Sequence, residues 1–258
     1  MQRNATYVLG FAAAICVVCA VVVSVAAVSL RDLQDANLAA YREQNVLEAG
    51  GFSQPGEVLE GEELAAALAR LNANVIDLVT GDVDPNIDVT TFDQRKASTD
   101  PANSRRVEPN AARIMRVPNN AIVYEVRDDA GALEMVVLPI EGKGLWSTLY
   151  GFVALEADLS TVRGLTYYEQ KETAGLGGEV DNPRWKALWP GRKAFDDAGT
   201  MALQVVKGQA GPPAEAPHEV DGLSGATITS RSVTYMLDFW LGDAGFAPYL
   251  DRLRGEMN

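Results

Sequence analysis

A run of small residues ends in a hydroxyl group directly before a predicted helix. The run is Asp221-Gly222-Leu223-Ser224-Gly225-Ala226-Thr227. After it, apolar residues recur with the spacing of one helix face, at Val233, Met236, Leu237, Trp240 and Leu241. The tight loop therefore delivers Thr227 to the beginning of a helix, where free N–H groups and a partial positive charge favour a phosphate. A hydroxyl at that place can carry a phosphate or simply bond one.

Spacing alone leaves a second interpretation of Thr227 open. Ser and Thr residues that precede an apolar helix usually cap its N terminus. Short motifs also match by chance, so capping is the commoner explanation when only spacing and composition are considered. Arg231 lies one helical turn after Thr227, where it can neutralise a phosphate or remain solvated.

A second segment, residues 168–179, is rich in glycine. It reads Tyr-Glu-Gln-Lys-Glu-Thr-Ala-Gly-Leu-Gly-Gly-Glu. Glycines at 175, 177 and 178 would let the backbone approach a planar ligand closely. The alternative is a flexible turn between a strand and the next helix.

The two segments resemble motifs of a known family, the FMN-binding domain found in the flavin-carrying periplasmic subunit of the Na⁺-translocating NADH:quinone reductase. The first is similar to the flavinylation motif, in which the last Thr carries FMN through a phosphoester bond; this implies covalent FMN on Thr227. The second resembles the Glu-Thr-Pro-Gly-Leu-Gly motif that lines the flavin ring, with Ala174 where Pro is usual, so the loop is expected to be less rigid. The other cofactor-binding residues that the resemblance implies are Ser224, Gly225, Ala226, Glu172, Thr173, Gly175, Leu176 and Gly177.

Further matches in the same order extend the resemblance over about residues 140–241. They are Gly144-Leu145-Trp146-Ser147, Tyr150-Gly151 and the run 178–183. Trp146 is a candidate to stack beside the flavin ring, whereas the other three tryptophans are predicted to be core residues. A related subunit of the Rnf electron-transport complex shares the flavin motif. The Glu-Val-Asp-Asn-Pro run and the long insert before residue 120 favour the quinone reductase.

The resemblance also implies a role and partners. The chain would relay electrons from an iron–sulfur centre held by other subunits to a second covalent flavin, and a flavin transferase using FAD would attach its FMN. No Gly-x-Gly-x-x-Gly motif follows a predicted strand, so NADH is not expected to bind this chain. The alternative from another class is a membrane-anchored assembly protein that carries no flavin, in which Thr227 only caps its helix.

Composition limits other functions. The net charge of −13 argues against a nucleic-acid partner, because phosphate backbones require Lys and Arg. The two cysteines, Cys16 and Cys19, lie inside an apolar run, so the rest of the chain has no thiol for a disulfide, a metal or catalysis. With His218 as the one histidine, a site with several histidines is impossible within one chain.

The N-terminal run 7–30 carries no charge. At about 1.5 Å per residue it is long enough to cross the ~30 Å hydrocarbon core of a membrane. A cleavable signal peptide is the competitor, but the run exceeds the ~7–15 residues of a signal peptide's apolar region. A retained anchor is therefore predicted. The charges around it do not decide its orientation; the resemblance implies a single-pass inner-membrane protein with a cytoplasmic N terminus and a periplasmic domain.

The elements predict an α+β fold, in which one transmembrane helix precedes a mainly antiparallel sheet flanked by helices. Helices are expected at 31–49, with a buried stripe of Leu33, Leu38, Ala39, Val46 and Leu47, at 60–71, and from Pro183. Strands are expected at 74–80, 121–127, 132–140, 149–155, 162–168 and 202–207, with a hairpin turn at 128–131 and a polar loop at 81–110.

The domain boundaries predicted are a cytoplasmic N terminus at 1–6, an anchor at 7–30, a connecting region at 31–120 and an FMN-binding domain at 121–258.

Overall fold

The computed structural model describes residues 5–257. Their contacts divide the chain into an N-terminal unit that ends at Glu43 and a larger unit that starts at Gln44. Residues 1–4 of the predicted cytoplasmic segment lie outside the described range.

The first element is one helix, α1 (Ala5–Ala49), which contains both the predicted anchor and the predicted helix at 31–49. It is long and apolar enough to cross a membrane. Of the predicted buried stripe, Val46 and Leu47 are buried, but Leu33 and Leu38 are exposed, so that part of the stripe was wrong. The helix ends at Ala49. Gly51, which follows it, has a φ of 72° that suits glycine, and the N–H of Phe52 closes the turn on the Leu47 carbonyl.

A five-stranded antiparallel sheet forms the centre of the larger unit, in the order β1-β4-β5-β6-β7. The consecutive strands β4, β5, β6 and β7 pair as neighbours, which is the short-range connectivity that the predicted hairpins require. The strands are β1 (Asn72–Asp77), β2 (Ser104–Arg106), β3 (Arg116–Pro118), β4 (Asn120–Arg127), β5 (Leu133–Lys143), β6 (Thr148–Glu156), β7 (Val162–Glu169), β8 (Gln204–Val205) and β9 (Glu219–Val220).

The hairpin turn between β4 and β5 lies where the sequence predicts it. Asp128 Oδ1 accepts the N–H groups of Ala130 and Ala132, both at 2.9 Å, and Gly131 has a φ of 84°. An aspartate followed by a glycine in the left-handed region is a typical chemistry for such a turn.

Helices cover both faces of the sheet. The remaining helices are α2 (Gly61–Arg70), α3 (Gln94–Thr99), α4 (Pro183–Lys186), α5 (Thr227–Leu241) and α6 (Ala247–Met257), with a 3₁₀ helix at Gly177–Asp181. On one face, Trp240 of α5 and Trp189 are fully buried in the main core, and Val46 and Ala49 at the end of α1 pack on the opposite face. The predicted α+β class with a mainly antiparallel sheet is confirmed.

The polar stretch 81–110 is not a plain loop. It contains α3, whose N terminus Asp93 caps by accepting the N–H of Lys96 at 3.0 Å, and β2, which pairs with β3. Gln94 fixes α3 to the sheet because its Oε1 accepts the N–H of Ile122 at 2.9 Å. The cap is local, whereas the β2–β3 pairing and the Gln94 bond join residues distant in the chain. Hydrophobic periodicity predicts none of these polar bonds.

Two predicted strands are shorter in the structure. The strand expected at 74–80 ends at Asp77, whose carboxylate accepts the N–H of Val79 at 2.7 Å and begins a turn. The strand expected at 202–207 is reduced to β8, which pairs in parallel with β9. By contrast, Asn182 caps α4 in front of Pro183, as the sequence predicts.

Candidate functional site

Thr227 is the first residue of α5, and its side chain is exposed. The loop before it has its own hydrogen bonds. Ser230 Oγ accepts the N–H of Leu223 at 3.0 Å and donates to the carbonyl of Ala226 at 3.1 Å, while Gly225 has a φ of 71°. Because Ser230 holds the loop, the Thr227 hydroxyl is left accessible to a reactant.

The capping interpretation of Thr227 was wrong. The N-cap is Ala226, with φ −125° and ψ 50°, and no side chain caps the helix. The first i→i−4 bond of the helix runs from the N–H of Ser230 to Ala226. The N–H groups of residues 227–229 therefore precede the helical ladder, which is the arrangement that favours an anion at a helix N terminus.

A cleft of about 510 Å³ opens beside Thr227, between the segment after β8 and the first turn of α5. Lys207 and Arg231 line it and supply two positive charges. Among residues 5–257 neither forms an ion pair with an acidic side chain. The acid in this wall, Asp221, accepts the N–H of Ala210 at 2.8 Å. A helix N terminus and two unpaired cations next to an exposed hydroxyl fit an attached phosphate.

The Glu172 carboxylate connects three segments on the other side of that helix turn. Its Oε1 accepts the N–H groups of Trp146 (2.9 Å) and Ser147 (3.1 Å). Its Oε2 accepts the N–H of Leu145 (3.1 Å) and the hydroxyl of Thr229 (2.8 Å). We call these five residues the Glu172 cluster. One side chain thus joins the 144–147 turn, the glycine-rich loop and the first turn of α5.

Hydrogen bonding decides the charge of Glu172. Burial raises the pKa of its carboxyl group, but the bonds from Trp146, Thr229, Ser147 and Leu145 outweigh burial and hold the pKa below its ordinary value. The group is therefore an ionised acceptor at neutral pH, and the negative charge is fixed within the cluster.

Glycines permit the close approach of these segments to one another. A Cβ atom at Gly177 would lie 2.6 Å from Thr229 Oγ1, and one at Gly225 would lie 2.8 Å from Leu176 Cδ2. By contrast, Gly175 has open space around its Cα and a φ of 77°, so it serves a turn. Close packing between protein segments therefore explains why glycine is present at positions 177 and 225.

The ten predicted cofactor-binding residues lie in the three segments that the Glu172 cluster brings together and in the loop directly before α5, but they differ in exposure. Trp146 is 72% exposed, unlike the three other tryptophans. Together with Leu145, Leu176 and Ile228, it forms an exposed apolar rim around the first turn of α5. We call these four residues the apolar rim. Ala174, where the related motif has Pro, is exposed in the same loop.

Other candidates fall outside this site. His218 contacts the carbonyl of Lys193 at 2.8 Å through Nδ1, and Cys16 and Cys19 are exposed on α1. Glu169 pairs with Arg95 at 2.9 Å. Within residues 5–257 no group of three or more His, Cys, Asp or Glu side chains is arranged to hold a metal ion.

Sequence reasoning missed Ser147, Thr229 and Ser230, which hold the site by hydrogen bonds. A signal for the last two exists. Thr229 and Ser230 are buried and lie on the same face of α5 as the apolar residues one and two helical turns after them. Polar side chains on a buried helix face require hydrogen-bond partners within the protein.

Known proteins share both the sequence and the fold. The FMN-binding domain family matches residues 144–242, which include the turn, the loop and α5. The NqrC subunit of the Na(+)-translocating NADH-quinone reductase of Vibrio vulnificus is 45% identical over 254 residues, which are 97% of this chain and 96% of the relative. Its Pseudomonas aeruginosa counterpart is 43% identical over 257 residues, covering 98% and 97%.

Solved structures show the same similarity. The crystal structure of Shewanella oneidensis NqrC has a TM-score of 0.75 at 38% identity, covering 83% of this chain and 96% of that one. The corresponding reductase subunit from Parabacteroides distasonis has a TM-score of 0.63 at 25% identity, with 86% and 96% covered. The chain therefore belongs to the NqrC family of Na⁺-translocating NADH-quinone reductase subunits.

Proposed function

We propose that the chain is the FMN-carrying electron relay of a membrane-bound, Na⁺-translocating NADH:ubiquinone reductase, with FMN joined to Thr227 by a phosphoester bond. The observation that carries the proposal is the exposed Thr227 hydroxyl at the start of α5, next to the cleft lined by Lys207 and Arg231. Membership of the NqrC family and the FMN-binding domain match support it.

Attachment of FMN requires a second protein. With FAD as donor, Thr227 Oγ1 bonds to the phosphorus on the FMN side of the pyrophosphate, the bond to the AMP phosphate oxygen breaks, and AMP leaves. The hydroxyl proton must go to a base. In the described part of the chain no carboxylate or imidazole hydrogen-bonds the Thr227 hydroxyl, and Glu172 and His218 bond other partners. We therefore assign the base to a flavin transferase.

The chain's own side chains hold the two ends of the cofactor. Lys207, Arg231 and the free N–H groups of α5 neutralise the phosphate. The loop residues Thr173, Gly175, Leu176 and Gly177 and the turn residue Trp146, which Glu172 orders, line the ring, and Ser224, Gly225 and Ala226 shape the attachment loop. When bound, FMN supplies transfer of one or two electrons.

The covalent bond suits an open site. Thr227 and the apolar rim are exposed, so a loosely bound flavin would exchange with the solvent. A tethered one stays in place while the chain carries electrons from an iron–sulfur centre of other subunits to a second flavin.

The proposed arrangement in the membrane rests on α1 and on the resemblance to the family. Residues 7–30 anchor the chain in the inner membrane, residues 1–6 lie in the cytoplasm, residues 31–120 connect, and residues 121–258 form a periplasmic FMN-binding domain. The helix is apolar enough for a single span, and the other subunits of the reductase are its partners there.

In-gel fluorescence tests the attachment. The chain is expressed with and without a flavin transferase, denatured, separated by electrophoresis and illuminated. We expect a fluorescent band only with the transferase, and its loss in Thr227→Val but not in Thr229→Val. A band that survives in Thr227→Val, or no band from the transferase host, would overturn the proposed attachment.

A further inference from the structure

A second groove lies beside the flavin site, in the part of the chain that the sequence predicts to be a connecting region. Its volume is about 510 Å³. We call it the arginine groove. Its walls combine arginines with apolar side chains, and Met115 at its edge is 78% exposed. The lining residues used below are Arg106, Arg113, Met115 and Arg116.

The charge of the arginine groove is opposite to that of the molecule. Residues 105–116 contain four arginines and one glutamate, whereas the chain has a net charge of −13. Among the described residues, no acidic side chain forms an ion pair with Arg106, Arg113 or Arg116. The local positive charge is therefore available to an outside carboxylate.

Two of these arginines are held in position by carbonyl and hydroxyl oxygens. Arg116 Nε donates to Ser104 Oγ at 2.8 Å, and its Nη2 donates to the Ser104 carbonyl at 2.6 Å. Arg113 donates to the carbonyls of Lys143, at 3.1 Å, and Gly144. Neutral acceptors fix both guanidinium groups without a direct ion pair, although the Asp100 carboxylate interacts with Arg116 from a greater distance. The groove therefore keeps a preorganised cationic surface.

Arg113 also connects the groove to the flavin site. Its acceptor Gly144 begins the turn that Glu172 holds, and the next two residues, Leu145 and Trp146, belong to the apolar rim. Arg113 has a φ of 56°, a left-handed conformation that is uncommon for a residue with a side chain. The groove and the rim thus form neighbouring parts of one exposed surface.

We propose that the arginine groove docks an acidic segment of another subunit of the same reductase, with carboxylates facing Arg106, Arg113 and Arg116 and an apolar side chain against Met115. Charge complementarity selects the partner, since carboxylates in such a groove would find cations that form no ion pair within the described part of the chain. Arginine and methionine are also enriched at protein interfaces. Only the nearness of this partner to FMN rests on the proposed function.

Photo-crosslinking in the assembled complex tests the docking. The crosslinking amino acid p-benzoylphenylalanine replaces Met115, whose exposure makes the fold tolerant of the change. A control chain carries it at Arg184, which is exposed on α4. After illumination of the purified reductase, mass spectrometry identifies the linked peptide. We expect a link from position 115 to an acidic peptide of another subunit, and none to that peptide from position 184.

Charge reversal in the groove provides a second test of the docking. Arg106→Glu should lower the crosslink yield by about fivefold, the effect of replacing one attractive charge pair by a repulsive one, whereas Arg106→Lys and Arg184→Glu should keep it. A link to lipid, to a second copy of this chain or to a peptide without acidic residues would overturn the proposal. So would the absence of a link, or a yield that Arg106→Glu does not change.

The flavin-free variant separates this test from the test of function. In Thr227→Val the crosslink should persist, because none of the predicted cofactor-binding residues lines the groove. If Thr227 proves to carry no FMN while position 115 still links to an acidic segment of another subunit, the proposed attachment fails and the docking stands. If Thr227 carries FMN but position 115 does not link to an acidic segment of another subunit, the docking is refuted and the proposed attachment stands.

Discussion

Glu172→Gln should destabilise the fold through one atom change at the centre of the candidate site. The amide keeps one acceptor oxygen, which can still serve the N–H groups of Trp146 and Ser147. Its NH₂ group then faces the N–H of Leu145, which loses its acceptor, and the Thr229 hydroxyl must reverse to accept. Bonds to a charged acceptor contribute about 1.5–3 kcal/mol each.

The expected loss combines these changes. The bond from Leu145 disappears, and the bonds from Trp146 and Ser147 become neutral and weaker. Water reaches the exposed residues Leu145 and Trp146 and offsets part of the loss. We expect the free energy of unfolding to fall by about 2 kcal/mol. For a folded unit of this size, that corresponds to a decrease in Tm of about 4–8 °C.

Calorimetry of the full chain in detergent measures this Tm. Glu169→Gln is the matched control, because it removes a half-exposed ion pair with Arg95 that contributes about 1 kcal/mol or less. Amide hydrogen exchange should rise at residues 144–147 in Glu172→Gln but not in the control. Equal Tm values for wild type and Glu172→Gln, or equal losses in both variants, would refute the assignment of Glu172 as the residue that joins the three segments.

The same comparison has a defined pH dependence. The pKa of Glu172 is lower in the folded chain than its ordinary value of 4.5, so its carboxylate stabilises the fold fully above pH 4.5. That contribution is lost as the pH falls through the folded pKa. The stability difference between wild type and Glu172→Gln should therefore be constant near neutral pH and shrink below pH 4.5. A difference that persists undiminished under strongly acidic conditions would contradict the ionised acceptor.

Three further variants test neighbouring contacts. Thr229→Val should lower the free energy of unfolding by about 1–2 kcal/mol, measured by denaturant unfolding, because Glu172 loses its hydroxyl donor; an unchanged value would contradict this. Gly225→Ala should cost more than Gly175→Ala in the same assay, since both residues have positive φ but only the first meets Leu176; equal losses would show that strain alone matters. Arg231→Gln should slow flavin attachment about two- to fivefold in a timed fluorescence assay, with Arg231→Lys close to wild type; equal rates in all three chains would exclude a phosphate role.

Local chemistry made much of the fold predictable. The turn at Asp128, the cap of Asn182 in front of Pro183 and the start of α5 at Thr227 each depend on residues a few positions apart. The apolar runs of the sheet strands, which are buried almost throughout, are likewise a local pattern. These features appear in the sequence at the spacing at which they act in the structure.

Long-range polar contacts could not be predicted in the same way. Glu172 and Thr229 are far apart in the chain, and no periodicity indicates that their side chains meet. The same holds for Gln94, which fixes α3 to the sheet, and for Arg113, which reaches the turn at Gly144. The glycine motifs indicated segments that meet in the candidate site, but the bonds that hold these segments together depend on the tertiary fold.

Mass spectrometry of the tryptic peptide 208–231 is the most direct test of the central claim, the covalent bond between FMN and Thr227. The full chain is produced with a flavin transferase, digested, and fragmented so that each hydroxyl residue of the peptide is distinguished. We predict a mass increase equal to FMN minus water, located on Thr227, and an unmodified peptide from Thr227→Val. An unmodified wild-type peptide, or an adduct on Ser224, Thr229 or Ser230, would contradict the claim.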